Sequence, residues 1–207
     1  MNPRQIFGNT FAIEVGIAAV MFGLILLAVL VALALSRRRK RAARPASNRD
    51  ENMPLELAYA AVVACAVGFI VLASAQEHSA PHPAVATVTA RGFQWCWRFD
   101  YPGHDRTVSG SCRNGDWPTM VVPAGVPVKL RVTGDDVIHS WWVPYLRYKL
   151  DAFPNHVNTV TLTIPHPGRW RGRCAEYCGL NHYSMDFYLR AVSPSRYRQW
   201  LAHGSAA

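Results

Sequence analysis

The chain has 207 residues, half of them hydrophobic, and a formal net charge of +9 at pH 7. A basic excess is typical of proteins that bind nucleic acid, but no nucleic-acid-binding motif is present, and many of the hydrophobic residues lie in two long uncharged runs near the N-terminus. We therefore exclude nucleic acid as a partner and predict a membrane protein.

The uncharged runs cover residues 15–35 and 57–76. Each has the ~20 residues that a helix needs to cross a bilayer core, which predicts transmembrane helices over about 13–36 and 55–76. A signal peptide is the alternative for the first run, but a basic cluster follows it in place of a small-residue cleavage motif. We predict that the two runs form a helical hairpin.

The connector between the runs, residues 37–54, is strongly basic. Its cations are Arg37, Arg38, Arg39, Lys40, Arg41, Arg44 and Arg49. Only Arg4 precedes the first run, so the positive-inside rule places the connector in the cytoplasm and both termini outside the plasma (inner) membrane. Residues 1–76 are then a multi-pass transmembrane hairpin, and residues 77–207 form an external, periplasmic domain.

The external domain has the sequence pattern of a β-sandwich. Apolar and polar residues alternate over 126–132 and 159–164, as in half-buried strands. Further strands are predicted over 85–99, 138–143 and 186–192, separated by turn signals such as Pro167-Gly168. A short C-terminal helix beginning at Pro194 would place Tyr197, Trp200 and Leu201 on one face.

Four potential metal ligands lie within twelve residues of this domain. Cys174, Cys178, His182 and Met185 follow the pattern C-x3-C-x3-H-x2-M, and a further histidine, His139, lies earlier in the chain. Thiolates and a thioether combined with imidazole favour copper over hard cations. Zinc sites use cysteine and histidine without methionine. The spacing therefore predicts a copper site on one loop at the end of the sandwich.

These residues resemble subunit II of the haem-copper terminal oxidases in its cytochrome c oxidase form. The resemblance implies an all-β, cupredoxin-like Greek-key sandwich carrying the binuclear copper centre CuA. It assigns Cys174 and Cys178 as bridges between two copper ions and gives each copper one histidine, His139 or His182. Met185 and the backbone carbonyl of Glu176 would be weak axial ligands.

The family resemblance also implies the function. The chain would accept electrons from cytochrome c or a similar donor and pass them to a haem held only in subunit I, where oxygen is reduced to water with proton translocation. Subunit III would be a further partner. Two alternatives are the CuA subunit of a related haem-copper nitric oxide reductase and a non-enzymatic membrane copper-binding protein, although the latter would favour exposed, exchangeable ligands.

The segment Gly92-Phe-Gln-Trp-Cys-Trp97 resembles the aromatic segment of the family, which makes Trp95 the electron-entry residue. The alternative is that its ring only packs. Asp135, Asp136 and Asp151 match acidic positions that help to dock a basic cytochrome c in the family. Their alternative role is to cap turns or to pair with nearby cations.

Two glutamates match positions with other roles in the family. The carboxylate of Glu176, with Asp151 as a neighbour, corresponds to a ligand of a magnesium ion shared with subunit I, and oxygen ligands suit that ion. Glu56, at the start of the second helix, corresponds to a residue at the cytoplasmic mouth of a proton channel. An interfacial glutamate can also simply anchor its helix.

Cys96 and Cys112 are the two external cysteines outside the copper motif, and Cys96 stands where the family usually has tyrosine. Placed on consecutive predicted strands in an oxidising compartment, they can form a disulfide. Two separate buried thiols are the alternative, because the sequence does not give the strand register.

Overall fold

In the computed structural model, which describes residues 2–39, 52–78 and 83–203, the chain begins with two long helices. These are α1, Pro3–Arg39, and α2, Met53–His78. Both are long and apolar enough to cross a membrane. Helix α1 begins earlier than about residue 13 because Pro3 is favoured in the first turn of a helix, and Gly8 in the second turn does not interrupt it. Residues 40–51 of the predicted connector lie outside the described residues.

Helix α2 has an N-terminal cap that explains its earlier start. The side chain of Asn52 accepts a hydrogen bond from the Leu55 N–H at 3.4 Å, and Glu56 Oε1 accepts one from the Asn52 N–H at 3.3 Å. This reciprocal arrangement satisfies backbone donors that have no partner within the helix.

The rest of the described chain forms a β-sandwich that ends in a short helix. The strands are β1 Ala86–Phe93, β2 Cys96–Tyr101, β3 Arg106–Ser109, β4 Thr119–Pro123, β5 Pro127–Gly134, β6 His139–Val143, β7 Tyr148–Ala152, β8 Asn158–Thr163, β9 Gly168–Cys174 and β10 Asp186–Val192. The helix, α3, spans Pro194–His203 and buries Tyr197 and Trp200. Residues 85–99 do not form the single strand that we predicted, since a turn at Gln94 and Trp95 divides them into β1 and β2.

The strands form two five-stranded sheets. The first has the order β3-β2-β1-β5-β8 and the second β4-β10-β9-β6-β7. Most neighbours are antiparallel, but β1 pairs with β5 and β10 with β4 in parallel, because the chain crosses between the sheets. The predicted Greek-key sandwich of the cupredoxin-like class, preceded by two apolar helices, is confirmed.

Aromatic packing between the sheets supports one end of the sandwich. The buried ring of Phe187 stacks on Trp141 at 5.8 Å and meets the edges of Trp97 and Phe99 at 5.6 and 5.4 Å. These contacts join strands of both sheets close to the loop between β9 and β10. The residues at this end are therefore attached to a closely packed, rigid part of the core.

Candidate metal centre

The loop between β9 and β10 carries the predicted copper motif. Cys174 is the last residue of β9, and Met185 immediately precedes β10. The Cys174 N–H donates to the Met185 carbonyl at 3.0 Å, which closes the loop at its base. The strand pairing therefore brings the first and last members of the motif together, although eleven positions separate them in the sequence.

The side chains of the motif converge on a pair of sulfurs. Cys174 Sγ and Cys178 Sγ lie 3.9 Å apart. His139 Nδ1 is 3.9 Å from the first sulfur, and His182 Nδ1 is 3.4 Å from the second. Met185 Sδ lies 3.7 Å from Cys178 Sγ. Each sulfur thus has an imidazole nitrogen beside it, as two neighbouring metal ions would require.

The weak oxygen donor of the predicted set is a backbone group. The carbonyl oxygen of Glu176 lies 3.3 Å from Cys174 Sγ, whereas the carboxylate of this residue points to Lys149, with Oε2 4.0 Å from Nζ. The copper-ligand role predicted for Glu176 therefore involves its backbone carbonyl, and the predicted magnesium role involves its side-chain carboxylate.

The donor set fits a soft cation. A metal at a typical metal–sulfur distance of about 2.3 Å can bond both sulfurs at once, because twice that distance exceeds their separation. Burial, followed by the neighbouring Cys174, raises the pKa of the Cys178 thiol to about 12. A thiolate at this depth is stable only with a cation beside it. The residues present therefore fit a copper centre.

His139 is held in place by groups that we did not predict to act on it. Its side chain is fully buried, and its Nε2 lies 2.8 Å from Asp136 Oδ1, which leaves Nδ1 facing the sulfurs. A Cβ atom on Gly92 would lie 2.8 Å from the Cγ of the imidazole. Only glycine on β1 leaves room for this ring.

Asp136 is bound on both oxygens. Oδ1 also accepts from the Val137 N–H at 2.6 Å, and Oδ2 accepts from the Gln94 N–H at 2.6 Å. Burial opposes ionisation of this carboxyl, but the hydrogen bonds from His139 and the two amides outweigh it, so the pKa of Asp136 lies below its usual value. A carboxylate that orients a ligand histidine is a common feature of metal sites.

The turn between β1 and β2 rests on the ligand loop. The Gln94 side-chain amide and the Trp95 indole N–H both donate to the backbone carbonyl of Cys178, at 2.9 and 3.0 Å. The Trp95 ring is half-buried, and it lies against Gly179. The predicted electron-entry residue thus contacts the residue that carries one of the two sulfurs.

A disulfide lies beside this turn. Cys96 and Cys112 are bonded, with Cα atoms 5.2 Å apart. Cys112 is not on a strand as we expected, but in the loop that follows β3. The bond therefore attaches residues 110–116 to the first residue of β2.

The family model for cytochrome c oxidase subunit II, periplasmic domain, matches residues 86–192, more than half of the chain. The chain belongs to this family. A probable cytochrome c oxidase subunit 2 from Streptomyces avermitilis is 29% identical, over 96% of this chain and 74% of that protein. Cytochrome c oxidase subunit 2 from Metridium senile is 34% identical, over 58% of this chain and 54% of that protein.

Two solved structures of bacterial relatives resemble the sandwich. The periplasmic domain of subunit II of cytochrome oxidase (CoxB) from Bradyrhizobium japonicum has a TM-score of 0.53 and 29% identity, covering 58% of this chain and 94% of that one. A CoxB domain in a mixed-disulfide intermediate with a thioredoxin-like protein has a TM-score of 0.51 and 27% identity, covering 60% of this chain and 93% of that one. The chain is thus a membrane-anchored oxidoreductase subunit with a periplasmic domain, in which His139, Cys174 and Cys178 are grouped closely enough to hold a metal ion.

The remaining carboxylates of the subunit II pattern are engaged by cations of the same chain. Asp135 Oδ2 is 3.0 Å from the Arg98 guanidinium, and Oδ1 is 3.4 Å from that of Arg91. Asp151 Oδ1 lies 3.6 Å from Lys149 Nζ. Lys149 lies between Asp151 and Glu176, so these two carboxylates face a cation of their own chain and form no magnesium site within the described residues. Magnesium shared with subunit I stays a prediction.

Proposed function

We propose that this chain is the electron-entry subunit of a cytochrome c oxidase, which accepts electrons from cytochrome c or a similar carrier and delivers them to a haem in subunit I. Oxygen reduction and proton translocation would then belong to the whole complex, with subunits I and III as partners. The observation that carries the proposal is the sulfur pair of Cys174 and Cys178, flanked by the imidazoles of His139 and His182.

Two copper ions sharing this sulfur pair would supply a one-electron store whose geometry changes little on reduction. The chain itself would keep the ligands of these ions in fixed positions. His139 and Met185 are fully buried, the two cysteines are nearly so, and the loop is closed at its base by the Cys174–Met185 hydrogen bond. Ligands fixed in this way keep their positions when the charge changes.

Trp95 would connect the donor with the copper loop. Its indole N–H is bonded directly to the carbonyl of Cys178, while part of the ring stays accessible. An electron that reaches this ring therefore has a short path, through one hydrogen bond, to a ligand residue. The ring also packs against the hydrophobic core, as the alternative role for Trp95 requires, so the rate of electron entry decides between the two roles.

The topology and the remaining sites complete the proposal. We infer that both termini and the copper domain lie outside the membrane, with residues 37–54 in the cytoplasm. Glu56 would then lie at the cytoplasmic end of α2, as required for a residue at the mouth of a proton channel. Its bond to the Asn52 N–H also supports the alternative, a role as helix cap.

Metal analysis tests the proposal. The full chain, expressed without its partners and purified in detergent, should bind two copper ions and share one unpaired electron between them in the oxidised form. One copper ion with an ordinary blue-copper spectrum would contradict a binuclear centre. The complex purified from its native membrane should contain haem and consume oxygen, and consumption of nitric oxide alone would favour the reductase alternative.

A further inference from the structure

One carboxylate outside the ligand set is buried beside the ligand loop. Asp186, the first residue of β10, follows Met185 directly and is only 2% exposed. No other carboxylate is buried in the part of the chain that the structure describes. Burial of a carboxylate costs free energy unless the group is paired and hydrogen-bonded, so this position requires specific partners.

Two arginines of the neighbouring strand β9 supply these partners. Arg171 Nε donates to Asp186 Oδ2 at 2.7 Å, and a second nitrogen of the same guanidinium contacts the same oxygen. Arg173 Nε lies 3.5 Å from Asp186 Oδ1. Both guanidiniums are about half-exposed, whereas the carboxylate that they share is not. Both oxygens of Asp186 are therefore bound to the strand that enters the ligand loop.

The strand register places this ion pair at the base of the loop. Arg173 and Asp186 are direct cross-strand partners. The first of them precedes Cys174 directly, and the second follows Met185 directly. Because successive residues of a strand point to opposite faces, the ion pair lies on the outer face of the sheet, while the neighbouring ligands point inward. It therefore joins the two strands one position beyond the hydrogen bond between the Cys174 N–H and the Met185 carbonyl.

Further contacts fix both the side chain and the backbone of Asp186. The guanidinium of Arg171 lies over the ring of Trp117, 4.4 Å from its centroid, and this ring is tilted against that of Tyr188 at 5.8 Å. Cys112 Sγ, which belongs to the disulfide, lies 3.3 Å from the backbone carbonyl of Asp186. The first residue of β10 is thus held by groups from two other segments of the chain.

A general gain in stability does not account well for this arrangement. Removing two charges from water can cost as much free energy as their attraction returns, so a buried ion pair is weak evidence of a stabilising role. The distinctive feature of this pair is its place, since its members flank the first and last side chains of the ligand loop.

We propose that Asp186 is a positioning residue of the copper site: bound by Arg171 and Arg173, it holds Met185 against the sulfur pair and thereby sets the reduction potential. The inference rests on the proposed function, in which the sulfur pair holds copper and Met185 is a weak axial ligand. The position of such a ligand tunes the potential of a copper site more than it determines the copper content.

A double-mutant cycle on the reduction potential tests this role, using the full chain purified in detergent and loaded with copper. Asp186→Asn removes one negative charge, which alone should raise the potential, because the positive charge that remains favours the reduced form. The variant also releases Met185, and this part of the effect requires the thioether. We therefore expect the shift caused by Asp186→Asn to differ at least about twofold between the wild-type and Met185→Leu backgrounds. Equal shifts in both backgrounds would overturn the proposal.

Asp135→Asn is the matched control. The carboxylate of Asp135 also pairs with two guanidiniums, those of Arg91 and Arg98, but no copper ligand is adjacent to it in the sequence. It changes the charge by the same amount, so its shift should be the same in both backgrounds. If its shift depends on Met185 as strongly as that of Asp186→Asn, the coupling reflects charge alone and the positioning role is excluded.

A measurement without copper separates position from charge. The Cys174 N–H bonds to the Met185 carbonyl at 3.0 Å, so exchange of this amide hydrogen with solvent reports opening of the loop base. In the copper-free chain, Asp186→Asn should accelerate this exchange severalfold, and Asp135→Asn should leave it unchanged. An unchanged exchange rate in Asp186→Asn would contradict the proposal.

Arg173→Gln repeats both measurements with a smaller disturbance, and it replaces Asp186→Asn if that variant does not fold. Arg173 is the more distant of the two partners and is half-exposed. Its variant should also accelerate exchange of the Cys174 amide hydrogen and shift the potential by an amount that depends on Met185; a shift independent of Met185 would overturn the proposal. If the unmodified chain forms no binuclear centre, the proposed function itself fails. If it forms the centre and the cycle is additive, only the positioning role fails.

Discussion

His139 Nε2 and Asp136 Oδ1 lie 2.8 Å apart, and the other imidazole nitrogen of His139 faces Cys174. The carboxylate thus fixes which nitrogen is available for a metal. Because outer-shell partners of this kind typically contribute 10–100-fold to metal affinity, we expect Asp136→Ala to weaken copper binding by roughly that factor. Competition titration with a copper chelator measures the change.

Asp135→Ala is the matched control for that prediction. Asp135 is adjacent in sequence, but its carboxylate pairs with Arg91 and Arg98 and not with the histidine. Copper affinity in this variant should match the wild type. A similar loss in both variants would mean that local charge, and not the orientation of His139, determines the affinity.

Gly92→Ala should disturb the same histidine from the opposite side. The added Cβ would lie within 2.9 Å of three side-chain atoms of His139, two of them in the imidazole, and the ring is fully buried. Overpacking of this kind costs about 1–3 kcal/mol of folding free energy. We expect a lower thermal midpoint and an altered electron spin resonance spectrum; a wild-type spectrum would show that β1 can move away from the ring.

The two sulfur ligand types should respond differently to substitution. Cys178→Ser should abolish the binuclear centre, because a hydroxyl is a poor ligand for a soft metal. Met185→Leu should retain both copper ions but change their reduction potential, since a weak axial ligand tunes a site more than it holds it. Metal analysis and redox titration measure both effects, and loss of copper from Met185→Leu would contradict an axial role.

Trp95→Ala should slow reduction by the donor severalfold and leave the copper spectrum close to that of the wild type, because Gln94 still binds the Cys178 carbonyl. Trp95→Phe keeps an aromatic ring but removes the N–H donor, and should give an intermediate rate. Stopped-flow reduction at saturating and subsaturating donor measures the rates. Wild-type rates for Trp95→Ala at both concentrations would show that the residue only packs.

Replacing both Cys96 and Cys112 by serine should destabilise the domain by up to ~3 kcal/mol, the contribution of a disulfide that closes a loop of this size. Copper content should be unchanged, since neither sulfur belongs to the ligand set. Mass spectrometry of the unreduced, alkylated wild-type protein provides the independent check. Alkylation of both cysteines without reductant would exclude the bond.

The copper motif could be predicted because four of its members are close in sequence, at spacings that one loop can bring together. The turn at Gln94 and Trp95 could not, because it contains neither glycine nor proline. Its contacts come from Asp136 and Cys178, 42 and 84 residues further along the chain. Local sequence carries no signal for a turn formed by such distant partners.

The carboxylates show a second limit of sequence reasoning. Asp135 and Asp136 are adjacent and of the same type, so a pattern assigns both the same role. Their environments separate them: one lies between guanidiniums, and the other orients a buried imidazole. Only the packing of β1 against the loop before β6 reveals this difference.

The carbonyl of Cys178 accepts hydrogen bonds from both Gln94 and Trp95, and this has a consequence for maturation of the subunit. These two bonds make the position of the tryptophan depend on the fold of the ligand loop beneath it. Under the proposed function, a newly made chain with an open loop would lack a correctly placed entry residue. Closure of the loop would then also form the entry site for electrons, and an immature subunit would not compete with finished oxidase for reduced carrier.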